Sequence, residues 1–257
     1  MRVFVLLALY LAAVTAVPSN PQRIVGGSVP PNFSPSYPSI ASLLFTWNWS
    51  TYVQTCAGTI INNRAVLTAA HCVYADEAGR WRIRVGATWS NSGGIVHNVN
   101  ANIVHGGFNY QTMENNLAIL RSASTFSFNH NVRNAPIAGV NYVIPENDFV
   151  VAAGWGDTYY GSNAGSAQLL HVVLVLINHD TCSYNYAGQG MTITGEMLCA
   201  GWPTGGRGQC RGDDGGPLFH NDVLVGVYSF GFECGLPDFP GVNVRVSRYT
   251  SWISSNA

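Results

Sequence analysis

The chain has 257 residues, with 12 Lys+Arg against 13 Asp+Glu, a formal net charge of −1 and only 10% charged residues. An ordinary soluble domain carries roughly 25%. With 47% hydrophobic and 12% aromatic residues, the composition excludes disorder, which needs low hydrophobicity and high net charge. The near-neutral balance without a basic run excludes a nucleic-acid binder. All twelve basic residues are arginine, where average usage would give about 15 lysines. The length suits two small domains or one double unit with a packed core.

In chain order, Arg2, an apolar run over 3–14 and Val14-Thr15-Ala16 read as a secretory signal peptide over 1–16. That run falls short of the ~20 residues needed to span a bilayer. A short segment over 17–23, held extended by Pro18 and Pro21, offers a cut site at Arg23 just before Ile24-Val25-Gly26-Gly27. Short apolar stretches then recur at 39–45, 59–61, 65–68, 81–85, 102–105 and 117–120. A second series runs 149–153, 169–177, 197–200, 217–219, 223–229 and 241–246. Turn residues such as Asn62-Asn63, Gly106-Gly107 and Gly205-Gly206 separate them. Regular short strands with few helical periods predict an all-β sandwich or barrel. The polar stretch 122–134 is the candidate link between two halves, and the tail over 246–256 has the spacing of one amphipathic helix. The chain has no sequence repeat.

Six cysteines, Cys56, Cys72, Cys182, Cys199, Cys210 and Cys234, are an even number in a chain read as secreted, which predicts disulfides. Six cysteines allow fifteen pairings, and spacing does not choose among them. No pair has the Cys-x-x-Cys spacing of a zinc site. His97, His105, His130, His171, His179 and His220 are scattered without ligand spacing, so no metal and no cofactor are expected. Asn48-Trp49-Ser50 and Asn32-Phe33-Ser34 are glycan sequons at Asn48 and Asn32. Pro35 after the second makes it the poorer acceptor.

Thr68-Ala69-Ala70-His71-Cys72 and Gly212-Asp213-Asp214-Gly215-Gly216-Pro217, with Ile24-Val25-Gly26-Gly27, Gly154-Trp155-Gly156 and Val227-Tyr228-Ser229-Phe230-Gly231, resemble the trypsin/chymotrypsin family. The motifs follow in the family's order over residues 24–257. The likeness is greater still to the alkaline midgut trypsins of caterpillars. It implies an all-β fold of two six-stranded Greek-key β-barrels, about 38–125 and 135–245, with a C-terminal helix over 246–256. It also implies the disulfides Cys56–Cys72, Cys182–Cys199 and Cys210–Cys234. Cleavage after Arg23 is then an activation step in which the new Ile24 ammonium pairs with Asp213. The calcium loop of many relatives lacks its carboxylates here, since no Asp or Glu occurs between Glu77 and Glu114.

Family chemistry rests on a serine nucleophile, a histidine base and an orienting aspartate. His71 matches the base. The aspartate position reads Asn116, and the nucleophile position reads Asp214. In this family's own well-studied triad, the acid-to-amide exchange costs about 10⁴ in turnover. A carboxylate is a poor acyl nucleophile, and it brings negative charge to the oxyanion hole expected from the N–H groups of Gly212 and Asp214. In the specificity pocket, Gly208 stands where caterpillar trypsins carry the acid that holds a substrate Arg or Lys. Gly231 and Gly241 match the small walls, with Ser229 and Phe230 alongside, so an open slot for apolar side chains is expected. Arg211 at the rim would favour acidic neighbours. Arg211-Gly212-Asp213 also spells an adhesion tripeptide, but its glycine and aspartate already have structural roles.

These residues lead to the expectation of a secreted homologue without catalysis, a monomer that binds peptide or protease-inhibitor loops as a decoy or regulates gut proteases. The alternative is an active serine-type, endopeptidase-like digestive hydrolase with altered, chymotrypsin-like specificity. Neither reading requires nucleic acid or a membrane. Lysine titrates near 10.4 while arginine stays charged above pH 12, so arginine-only usage suggests an alkaline insect midgut lumen and a stability nearly flat from about pH 7 to 11.

Overall fold

The computed structural model describes residues 24–31 and 36–257. The proposed signal peptide, the 17–23 segment with Arg23 and the sequon at Asn32 lie outside the described residues.

Twelve strands form two closed antiparallel barrels. The first holds β1 (Ile40–Phe45), β2 (Val53–Ile60), β3 (Ala65–Thr68), β4 (Trp81–Val85), β5 (Ile95–Val104) and β6 (Ala118–Ser122), in the spatial order β1-β2-β3-β6-β5-β4. The second holds β7 (Phe149–Gly154), β8 (Leu170–Ile177), β9 (Met197–Gly201), β10 (Pro217–His220), β11 (Val223–Phe230) and β12 (Gly241–Arg245). Followed from β7, its order is β7-β8-β9-β12-β11-β10. Both halves thus share one topology without a sequence repeat. Closure removes exposed strand edges.

The strands follow from period-2 burial. Along β4, Trp81, Ile83 and Val85 are buried while Arg82 and Arg84 reach outward, and Arg82 lies over the Tyr52 ring at 3.8 Å. The strand over β5 is longer than its apolar letters suggest, because only His97 and Val99 of its first half turn inward between exposed neighbours. Leu43, Ile60, Leu67, Ile119, Leu174, Leu218 and Val227 sit in one core that runs through both barrels. Three disulfides brace the connections: Cys56–Cys72, Cys182–Cys199 and Cys210–Cys234. Among the described residues, no helix is long and apolar enough to cross a membrane.

Two short helices lie between strands, α1 (Ala70–Val73) and α2 (His179–Ala187). The tail is not one helix. A 3-10 turn over Val246–Arg248 is followed by α3 (Thr250–Asn256). The break falls at Tyr249, whose buried side chain is pinned by its hydroxyl donating to Asn115 Oδ1 at 3.0 Å.

Burial corrects the alkaline end of the stability expectation. It pushes the phenols of Tyr37, Tyr186 and Tyr249 up to about 12, above the unfolded value of about 10. An acid whose folded pKa is raised stabilises the fold fully below its unfolded pKa and loses that contribution as pH climbs toward the folded value. The denaturant midpoint is therefore expected to stay level from about pH 8 to 10 and to fall from about pH 10 toward 12. Denaturant titrations across that range check it. A loss beginning well below pH 9, or none by pH 12, would contradict it.

Candidate active site

Three loops converge where the barrels meet. His71 sits in α1 just after β3, and Cys72 beside it is tied to β2 by the disulfide to Cys56. Asn116 enters β6 fully buried, after two left-handed residues, Met113 (φ 57°) and Asn115 (φ 54°). Asp214 comes from the turn before β10, and Ser229 from β11.

The side chains mesh in one direction. Asn116 Oδ1 accepts the backbone N–H of His71 at 2.9 Å. That contact fixes the amide, so Nδ2 is the atom facing His71 Nδ1 at 2.8 Å. The same nitrogen donates to Ser229 Oγ at 2.7 Å. An amide nitrogen only donates, so Nδ1 accepts and the neutral ring carries its proton on Nε2. Nε2 faces Asp214 Oδ1 at 3.4 Å. The other carboxylate oxygen, Oδ2, accepts the N–H of Gly212 at 3.0 Å. One of the two expected oxyanion donors is thus engaged by the chain's own carboxylate.

Asp214 is held to the first barrel by its carbonyl, which accepts the N–H of Ala57 at 2.8 Å. Gly215 makes that approach possible: its φ is +75°, and a Cβ there would lie 2.0 Å from Thr68 Oγ1 and 2.6 Å from the Ala57 carbonyl oxygen. Asp213 points the other way, into the second barrel. Its carboxylate accepts the N–H groups of Gly156 at 2.8 Å and Cys210 at 3.0 Å. Burial pushes this carboxyl up to about 7, the two backbone donors opposing. Adjacent acids therefore face apart and are not a shared-proton pair.

Beside the polar set lies a cleft of about 550 Å³, lined among others by His71, Met113, Arg211, Asp214, Phe230 and Gly231. Arg211, exposed at its rim, bonds to Asn163. Gly208 is not part of the lining. It is buried, and its N–H donates to the Val25 carbonyl at 3.1 Å. The expected open slot is also corrected. Tyr228, 3% exposed, reaches between the two glycine walls: a Cβ on Gly231 would lie 3.0 Å from its hydroxyl, and one on Gly241 3.1 Å from its Cε2. The letters Val227-Tyr228-Ser229 carry no sign of this, because alternation along a strand tells inward from outward but not which cavity an inward ring fills.

Three of the other histidines are taken up by structure. His171 Nδ1 meets the Tyr37 hydroxyl at 2.6 Å, His97 Nδ1 the Ser124 hydroxyl at 2.8 Å, and His220 lies between Tyr142 and Asp148.

Residues 24–253 match the Trypsin family model. The chain belongs to the trypsin family. It is 54% identical to "Trypsin, alkaline C" of Manduca sexta, with both chains wholly covered. It is 53% identical to "Trypsin CFT-1" of Choristoneura fumiferana over 98% of each chain, and 44% identical to "Achelase-1" of Lonomia achelous over 91% of this chain and all of the relative. This likeness to full-length proteins named as trypsins overturns the expectation of a homologue that only binds and is not an enzyme. By sequence alone, Asn116 and Asp214 stand as losses from a triad. The geometry instead joins them to His71 in a matched polar set on an accessible cleft.

The tautomer is testable by ¹⁵N NMR of the histidines near pH 8. His71 is expected to show its proton on Nε2 and none on Nδ1, and Asn116→Asp is expected to move it to Nδ1. An Nδ1 proton in the unaltered protein would contradict the assignment.

Proposed function

We propose that the protein is a secreted digestive endopeptidase-like hydrolase that cleaves peptide bonds with a water molecule activated by Asp214. Two things support this reading: the likeness to named trypsins along the whole chain, and the contact of His71 with Asp214 at the cleft. A peptide lies along the cleft, and water approaches its carbonyl carbon. As the water oxygen bonds to that carbon, Asp214 accepts its proton. A neutral carboxyl is a weaker acceptor than a carboxylate, so the Gly212 N–H turns to the oxygen where negative charge develops. Asp214 then passes the proton to the departing amine as the C–N bond breaks, and returns to its starting contacts. His71 is a positioning residue here: its Nε2–H holds Asp214 Oδ1, and Asn116 holds His71.

Such a route is slower than acyl transfer through serine. In this family, loss of triad members leaves about 10³–10⁴-fold catalysis over water, from binding and the oxyanion hole. Cleavage after Arg23 is the proposed activation. It would free an ammonium on Ile24, whose side chain is fully buried, as a partner for Asp213. Without that partner, a carboxyl raised to about 7 stabilises the fold fully below about pH 4 and loses this contribution as pH rises through 7. Pairing would hold it ionised and reverse that dependence. Peptides and inhibitor loops are the proposed partners of a monomer in an alkaline gut lumen, where ten arginines of residues 24–257 keep their charge. Asn48, exposed on its turn, and Asn32 are the proposed glycan sites.

The test is hydrolysis of a chromogenic peptide panel at pH 7–10 by the chain cut after Arg23. Asp214→Asn is expected to reduce turnover at least 100-fold, and Asp214→Ser with Asn116→Asp to raise it about 10³-fold or more. The uncut Arg23→Gln chain is expected at least 10-fold below the cut one. Unchanged turnover in Asp214→Asn, or none in the cut protein, would overturn the reading.

A further inference from the structure

The side-chain slot of this cleft holds part of the protein itself. Tyr228 sits at the end of β11, opposite the small, fully buried Asn243 of β12, just before a register shift in that pairing. Its ring is directed toward the cleft, which it helps to line. The two glycines matched to the slot walls are both in contact with it. Gly231 lies against the hydroxyl and Gly241 against the ring edge, so a Cβ at either position would be tighter than nearly all real contacts. These glycines therefore leave room for the phenol rather than for a substrate ring.

The backbone that carries the ring is also held. The N–H of Gly215 donates to the Tyr228 carbonyl, and its own N–H donates to the Gly216 carbonyl, each at 2.9 Å. The Cys210–Cys234 disulfide borders the same space, and both cysteines line the cleft. Swinging the phenol out would open a cavity in a packed region, and burial together with the nearby carboxylates keeps it protonated well above its ordinary value. The plug thus stays neutral in alkaline surroundings.

We propose that Tyr228 fills the specificity slot and restricts the cleft to peptides whose residue there is glycine, alanine or serine. This rests on the hydrolase reading for its turnover but not for its binding geometry. It replaces a preference for aromatic or large apolar residues, because the space between Gly231 and Gly241 is taken by the Tyr228 phenol. Tyr228 sets specificity by exclusion and takes no part in bond breaking.

The experiment uses the chain cut after Arg23, with Tyr228→Val and Tyr228→Ala. Hydrolysis is measured on peptides that differ only in Gly, Ala, Phe or Arg at the slot. Calorimetry measures binding of disulfide-closed inhibitor-loop peptides carrying Ala or Phe at the same place. The unaltered protein is expected to prefer Ala over Phe at least 10-fold in both readouts, and the variants to reverse that order. The hydrolysis of all peptides could fail while the binding preference holds. That outcome would remove the catalytic reading and leave the plug standing. Equal or tighter binding of the Phe loop by the unaltered protein would overturn the proposal, as would an unchanged ratio in a folded variant. Should neither variant fold, the unaltered protein's ratio decides by itself.

Discussion

The five-residue turn from Gly212 to Gly216 is the constraint on which the site depends. Its middle carbonyl is bonded to Ala57 of the first barrel, and its last two residues, Gly215 and Gly216, are bonded to Tyr228 of the second. Asp213 is drawn into the second barrel by two backbone donors, which forces the next side chain, Asp214, outward toward His71. A shift of the barrels would break the Ala57 contact and separate Asp214 from His71 together. Gly215 is the hinge of this clamp, since any side chain there would collide with Thr68 and Ala57.

Within that frame the polar groups form a closed chain. Asn116 reads the backbone and ring of His71 at once, and so decides which nitrogen carries the proton. Asp214 completes the chain by accepting from Gly212. Aspartate in the place of serine is accommodated because Oδ2 accepts the Gly212 N–H and Oδ1 lies 3.4 Å from His71 Nε2. An unpaired carboxylate here would cost far more. The same arrangement makes substrate binding competitive: a peptide carbonyl reaches the Gly212 N–H only when Asp214 gives it up. In the proposed reaction, proton uptake by Asp214 and release of that donor are therefore one event.

Much of this was legible in the letters. The recurrent short strands read as an all-β sandwich or barrel because alternation and turn chemistry are local, and the resemblance to the family, carried by Ala69-Ala70-His71-Cys72 and Gly212–Pro217, implied two barrels and the site, with Gly212 and Gly215 in the left-handed backbone that favours glycine. Other features were not legible. The length of β5 was hidden by polar letters on its outer face, and the split of the C-terminal helix depends on Tyr249 reaching Asn115, over a hundred residues away. Tyr228 shows the limit most plainly. Gly231 and Gly241 read as an open slot, yet the volume they leave is taken by an inward ring from the neighbouring strand. Which inward ring fills which cavity is a property of packing, not of spacing. Asn116 and Asp214 follow the same rule: the motifs show which groups are missing, whereas the structure shows what the present groups bond to.

The arginine-only composition and the buried phenols act on the same pH range from opposite sides. Arginine keeps the positive charges in place through alkaline conditions, while phenolate formation sets the upper bound of the folded range. The central claim, however, is that Asp214 directs water to the peptide carbon without itself becoming acylated. Rapid-quench intact-mass and peptide-map spectrometry during hydrolysis in H₂¹⁸O tests it most directly. The account predicts ¹⁸O in the released carboxylate, no acyl mass on the chain and no ¹⁸O in Asp214. An acyl adduct, label in Asp214 or no released acid would contradict it.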